Sequence, residues 1–253
     1  MAVAFMAPFG YYSLVLALQV GAPLPESVGN DVVGEQIRQI AAVLPNMGKP
    51  DIYYPLTYEG DWTVEREVTE VNAPLSGERP ILVKGLEQSK GQKSTFRRFF
   101  SRYNGNVILD RSISTTNEIN SMSSDGPVLA TFDPANPNTL LVTTSTGKKI
   151  DIRVTKRSVE DMANVVNGNQ QQDASATVGG VSFSEFSRVT EEGPDSPPRQ
   201  WGVRILGRYK QLSDDEIVGL ERLYLYSGDT LDMGGKPDEV VKSRLSLKRV
   251  KEL

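Results

Sequence analysis

From residue 62 onward the chain is cut into short stretches in which apolar and polar residues alternate, and that period of two constrains its fold more than any other feature. Over 62–71, Trp62, Val64 and Val68 fall on one face and Thr63, Glu65, Glu67 and Thr69 on the other, with Arg66 breaking the apolar row. Over 149–155, Ile150, Ile152 and Val154 oppose Asp151, Arg153 and Thr155. Successive side chains of a strand point to opposite faces, so each stretch reads as a strand with one buried side. The same reasoning predicts strands over 95–103, 106–111, 128–132, 139–144, 181–190, 201–210, 220–226 and 243–250, with a turn at 133–138, DPANPN. Helix is scarce. Residues 30–44 place Ile37, Ile40, Ala41 and Leu44 on one helical face, 158–167 reads as a second short helix, and Ser213 to Glu216 has capping-box form for a single turn. About 8–10 short strands with little helix favour an antiparallel barrel or sandwich over a parallel α/β sheet, which needs a crossover helix between strands.

The chain of 253 residues contains neither histidine nor cysteine. That removes most zinc and copper sites, thiolate nucleophiles, Ser-His-Asp triads and disulfides. A formal charge of −4 argues against nucleic acid as a general partner, because phosphate binding needs a field of opposite sign. Residues 1–25 carry no charged side chain, and Tyr11–Leu18 forms a short apolar run. The run suits a targeting segment, with Ala17 or Ala22 before a cleavage point, or a retained docking arm that uses Tyr11 and Tyr12. We therefore divide the chain into an N-terminal apolar and helical extension, 1–50, and a β-domain, 51–253. Residues 168–180 and 191–200 read as polar loops.

Gly60-Asp61-Trp62 stands where the first strand begins. In a small barrel the first strand closes against the last, and a bulky ring near its start plugs the open bottom. The pattern resembles the G-x-W start of lipocalin-like (calycin) barrels. That resemblance implies an arginine from a late strand packed over Trp62, for which Arg244 and Arg249 are candidates and Arg66 a third.

A longer resemblance runs in order through DIYYPLTYEGDWTVEREVTEVNAPL (51–75), VILDRSISTTNEINSM (107–122), ATFDPANPNTLL (130–141), FSEFSRVTEE (183–192), VRILGRYKQL (203–212) and RLYLYSGD (222–229). These segments are similar to an uncharacterised domain family of cyanobacteria and chloroplasts. At 112–113, Ser and Ile stand where that pattern has an aromatic residue. The resemblance implies a photosynthetic organism and a place on the lumenal side of the thylakoid, and it implies no catalytic residue.

FRRFFSRY, residues 96–103, interleaves arginine and aromatic side chains. Arg97, Arg98, Arg102 and Tyr103 are candidate partner contacts; the plainer reading is a strand with aromatics in the core and arginines paired with neighbouring glutamates. Asp214, Asp215 and Glu216 lack the spacing of a calcium loop, and no metal site is expected. Glu185, Glu191 and Glu192 offer a carboxylate pair for hydrolysis without an aromatic sugar platform. The family resemblance, with the apolar N-terminus, implies a non-catalytic accessory protein, a photosystem subunit or assembly factor contacting a photosystem or light-harvesting complex at the thylakoid membrane surface. The alternative is a lipocalin-like carrier of a pigment, quinone or fatty acid; no obligate cofactor is expected.

Overall fold

In the computed structural model the described residues are 51–72, 79–83, 90–122, 126–161, 179–194, 196–227 and 235–251. A 3-10 turn, Leu56–Tyr58, leads into β1 (Gly60–Asn72), β2 (Lys93–Tyr103) and β3 (Asn106–Leu109), followed by the helix α1 (Arg111–Met122). Then come β4 (Val128–Phe132), β5 (Thr139–Thr144), β6 (Lys149–Asp161), β7 (Gly180–Gly193), β8 (Ser196–Ser213), β9 (Glu216–Ser227) and β10 (Glu239–Arg249). All ten form one antiparallel sheet in the order β3-β2-β1-β10-β9-β8-β7-β6-β5-β4, curled into a half-barrel. The first and last strands pair, with Trp62 opposite Arg249 and Arg66 opposite Leu245.

Of the barrel and the sandwich expected, the sheet takes the form of a barrel left open between β3 and β4, and α1 lies across the opening. Asp110 starts the helix as its N-cap: its Oδ1 accepts from the Ile113 N–H at 3.0 Å and from the Ser112 hydroxyl at 2.6 Å. Polar side chains of α1 then bond the backbone on both sides. The Phe99 N–H of β2 donates to Ser114 Oγ at 3.1 Å; on β4, the Val128 N–H donates to Asn120 Oδ1 at 2.9 Å and the Ala130 N–H to Thr116 Oγ1 at 3.0 Å. An uncovered sheet edge leaves N–H groups without partners, and α1 supplies them.

Four local expectations change. The strand expected over 106–111 stops at Leu109, because Asp110 caps α1. Ser158–Asp161 continue β6 instead of starting a helix, since each has a partner on β7, from Ser158 opposite Ser184 to Asp161 opposite Val181. The loop expected over 191–200 is mostly strand, with Glu191 opposite Arg199 and Gly193 opposite Ser196. Asp214 and Asp215 form the β8–β9 turn. The extension 1–50, including Tyr11, Tyr12 and the helix expected over 30–44, lies outside the described residues, as does 168–178.

Inward side chains build two apolar cores. One is aromatic, with Tyr54, Tyr58, Trp62, Phe96, Phe100, Phe183 and Tyr209 around Val64, Ile217 and Leu247. The other is mainly aliphatic, with Ile119, Val142, Ile150, Val203, Leu223, Leu225 and Val241 around Trp201. Two inward glycines make the aromatic end possible. A Cβ on Gly207 would come within 2.3 Å of the Phe183 ring, and one on Gly219 within 2.8 Å of the Tyr209 ring. The Phe183 and Tyr209 rings stack with centroids 6.0 Å apart.

Candidate functional site

The aromatic end is closed by a small cluster. Gly60 has φ +120°, open to glycine and strained for other residues, and a Cβ there would stand 2.9 Å from Arg249 Nη1. Trp62 is fully buried and donates its indole N–H to the Tyr58 carbonyl at 2.7 Å. The Arg249 guanidinium lies 4.3 Å from the centroid of the Trp62 ring. It donates to the carbonyls of Asp214 at 2.9 Å, Glu59 at 2.7 Å and Thr57 at 2.6 Å, so one side chain ties together the 3-10 turn, β1 and the β8–β9 turn. Arg244 is not in this cluster. It lies five residues earlier on β10 with the opposite parity, exposed on the outer face. Arg66 points inward but sits four residues beyond Trp62 and does not cover it.

On β2 the alternation separates the proposed contacts. Arg97, on the outer face, pairs with Asp61; Arg102 has the parity of Phe96 and Phe100 but lies exposed near the strand's end, where it pairs with Glu59. Tyr103 ends the strand half-buried. Arg98 is a correction: it shares the inward parity of Phe96 and Phe100 and is only 6% exposed, so it is not available to a macromolecular partner.

Arg98 belongs instead to a charged waist between the two cores. Arg66 donates to Glu118 of α1 at 2.6 Å and to Glu221 of β9 at 2.7 Å. Arg98 donates to Glu221 at 3.0 Å and Glu118 at 3.1 Å, and the Tyr209 hydroxyl accepts from Arg98 and donates to Glu221. A second network adjoins it. Arg111 donates to Asp51 at 2.6 Å and Glu185 at 2.9 Å, and Arg157 to Glu185 at 2.5 Å, with Asp51 3.7 Å away. Four arginines thus meet four carboxylates, the balance that buried charge demands.

The networks fix protonation. Burial pushes the Glu221 carboxyl up, but Arg98, Arg66 and the Tyr209 hydrogen bond outweigh it and leave it lowered to about 2. Glu185 is likewise penalised by burial, yet Arg111 and Arg157 bring it below the ordinary range. Asp51 is raised, because its burial outweighs the attraction of Arg111 and Arg157. Burial lifts Tyr209 far above an ordinary phenol. Neither glutamate stores a proton at neutral pH, so neither is set up as a general acid.

Between the networks lies a cavity of ≈ 170 Å³. Its wall includes Arg66, Arg98 and Arg111 together with the apolar side chains of Ile152, Ile205 and Leu223. The Nε–H groups of all three arginines are buried without a hydrogen-bond partner among the described residues, and so is Asp51 Oδ2. The cavity wall thus combines arginine, tyrosine and carboxylate side chains with apolar ones.

The acids considered for hydrolysis do not converge. Glu185 and Glu191 share the inward face of β7 six residues apart, roughly 20 Å at strand rise, beyond the spacing a glycosidase pair uses. Glu191 instead accepts from the Ile81 N–H at 2.6 Å. Among the described residues no group of three or more acids is placed to hold a metal ion. The waist residues Asp51, Arg111, Glu118, Arg157, Tyr209 and Glu221 were not marked in the sequence. For Glu221 the signal there is a charge where the alternation calls for an apolar residue, between Gly219 and Leu223; Asp51, Arg111 and Glu118 lie off the strands, where alternation gives no such signal.

Residues 46–251 match a family described as a domain of unknown function, DUF6816. The chain belongs to that family. The match covers the whole half-barrel, α1 and the 3-10 turn, so cavity and waist lie inside the family's domain. No curated protein and no solved structure matches the chain.

Proposed function

We propose that the protein is a non-catalytic binding protein that holds one small neutral molecule in the waist of a lipocalin-like half-barrel, an oxygen of the ligand accepting from Arg66, Arg98 or Arg111. The carrying observation is the cavity of ≈ 170 Å³ whose wall sets Arg66, Arg98 and Arg111 beside apolar side chains. Its volume is near the ~150 Å³ of an apolar cavity that takes benzene, so it admits a ring and excludes a whole pigment or long chain. The chemistry favours an acceptor without charge. A fatty carboxylate would bring a fifth anion to four arginines already matched by four carboxylates, whereas a quinone carbonyl accepts hydrogen bonds and adds no charge.

Titration of the purified chain with 2,3-dimethyl-1,4-benzoquinone and with octanoate, read by calorimetry, tests this. One-to-one binding of the quinone, weakened at least about tenfold by Leu223→Trp, which fills the cavity, is expected. Saturable binding of octanoate alone sinks the neutral-ligand reading, and binding of neither sinks the carrier reading.

A second reading supplies a setting. The resemblance of residues 50–250 and the uncharged 1–25 support a photosystem accessory or assembly role on the lumenal side of the thylakoid. Co-migration of the chain with one photosystem on a gradient of gently solubilised membranes tests it; migration alone at the monomer mass counts against it.

A further inference from the structure

The outer face of the sheet carries a feature that the waist does not explain. Strands β2, β1, β10, β9 and β8 together line a surface hollow of ≈ 500 Å³, with Lys93, Arg208, Lys210 and Arg244 around Val218 and Leu220. Strand register sets the arrangement. Leu220 stands directly between Arg208 of β8 and Arg244 of β10, and Val218 between Lys210 and Ser246. Side chains opposite each other on neighbouring strands lie about 5 Å apart, so Leu220 is flanked by two arginines, and on β1 Glu67 stands between Arg244 and Lys93. Leu220 is 57% exposed, and Lys93, Arg208, Lys210 and Arg244 are all exposed.

Several cations elsewhere on the surface are held in ion pairs. Arg97 pairs with Asp61, Arg102 with Glu59, Arg153 with Asp151 and Lys242 with Glu70. Lys93, Arg208, Lys210 and Arg244 form no ion pair among the described residues, although the chain as a whole is acidic. Glu65 and Glu67 share the hollow, so its net charge is moderate, four cations against two anions.

We propose that this face docks on an anionic lipid bilayer, with Leu220 entering the headgroup layer and Arg208, Arg244, Lys210 and Lys93 taking lipid phosphates. The occupant follows from the chemistry. An exposed leucine flanked by arginines, with two lysines nearby, suits a partner that is anionic at its surface and apolar just beneath, and a bilayer leaflet is both. An acidic peptide fits less well. The patch lies in the middle of a sheet face, where no strand edge is open for β-augmentation. The site does not depend on the interior cavity.

Flotation of the full chain with vesicles of 30% phosphatidylglycerol in phosphatidylcholine tests the proposal, alongside pure phosphatidylcholine vesicles and a high-salt arm. Binding to the anionic vesicles is expected, falling steeply with salt because the charges are exposed. Each neutralised cation near the surface costs appreciable affinity, so Arg208→Ser with Arg244→Ser should lower the partition coefficient about tenfold or more. Leu220→Ser should lower it less. Both variants lie on the surface, and an unchanged melting temperature confirms that they fold. Equal binding to neutral vesicles, or anionic binding that the variants leave unchanged, overturns the proposal. So does absence of vesicle binding, and patch-dependent binding of polyglutamate in its place would assign the face to an acidic polypeptide.

Discussion

Arg66 and Arg244 lie on hydrogen-bonded neighbours, β1 and β10, and meet opposite fates. Arg66 points inward, is 3% exposed, and holds Glu118 and Glu221. Arg244 points outward, is exposed, and has no ion pair among the described residues. Parity along the strand decides which side a residue takes, and desolvation decides what it must then have. Inside, an arginine without carboxylates costs several kcal/mol, so the chain supplies two for each network. Outside, water solvates the charge and no partner is required for stability.

The largest effect should come from unbalancing the inside. Glu221→Leu leaves Arg66 and Arg98 with Glu118 alone and the Tyr209 hydroxyl without its acceptor. Removing one member of a buried network costs about 3–5 kcal/mol, read as a lower urea midpoint. The comparison sharpens if Arg66→Met, Arg98→Met and Glu118→Leu are added to Glu221→Leu. Removing all the charges together should recover most of the loss, because the cost lies in the imbalance.

Acid should act on the same network more gently. A carboxyl with its folded-state pKa depressed contributes stability that is present above its unfolded value and lost as pH falls through the folded one. For Glu221, ordinarily 4.5 and lowered to about 2, the loss falls between roughly pH 4.5 and 2. Glu185 acts in the same direction. Asp51 is raised from 3.8, so its contribution is full below that value and lost as pH rises, and it offsets part of the acid effect. Melting temperatures in a pH series should drop across that window, and Glu221→Gln should flatten the drop. An unchanged slope in Glu221→Gln would remove Glu221 from the explanation.

Smaller still is the loss expected where α1 meets the sheet. Thr116→Val removes the acceptor of the Ala130 N–H, which bonds at 3.0 Å. An unmatched buried N–H costs about 1–3 kcal/mol, toward the lower end at a helix surface reached by water. Hydrogen exchange at Ala130 should speed up in Thr116→Val while exchange on β8 stays slow, which would locate the effect at the seam.

These sites also mark how far the sequence could be read. The strands over 128–132 and 139–144 were legible to the residue, because alternation bounded by Pro and Asn turns leaves little freedom. The helix 111–122 was not. RSISTTNEINSM has weak apolar periodicity, since Ser114, Thr116 and Asn120 face sheet edges and serve backbone groups that the sequence does not reveal. Arg66 was visible as a break in an apolar face. Its partners were not: Glu118 and Glu221 lie 52 and 155 residues further along the chain, and only the curl of the sheet and the position of α1 bring them together.

The smallest effect on stability belongs to the outer cations, and it separates the two regions most cleanly. Arg208 and Arg244 face each other across Leu220, two strands apart, while Glu67 stands opposite Arg244 on β1, so a weak repulsion and a weak attraction act on Arg244 through water. Arg244→Ser removes both and breaks no ion pair among the described residues. The expected change is within about 0.5 kcal/mol, reported by a urea midpoint close to that of the parent. A loss of several kcal/mol in Arg244→Ser, comparable with Glu221→Leu, would mean that the outer arginine has a structural partner and that parity alone does not divide the charges. A neutral or favourable result leaves the outer cations without a folding role, as expected of side chains kept for contact with something beyond the chain.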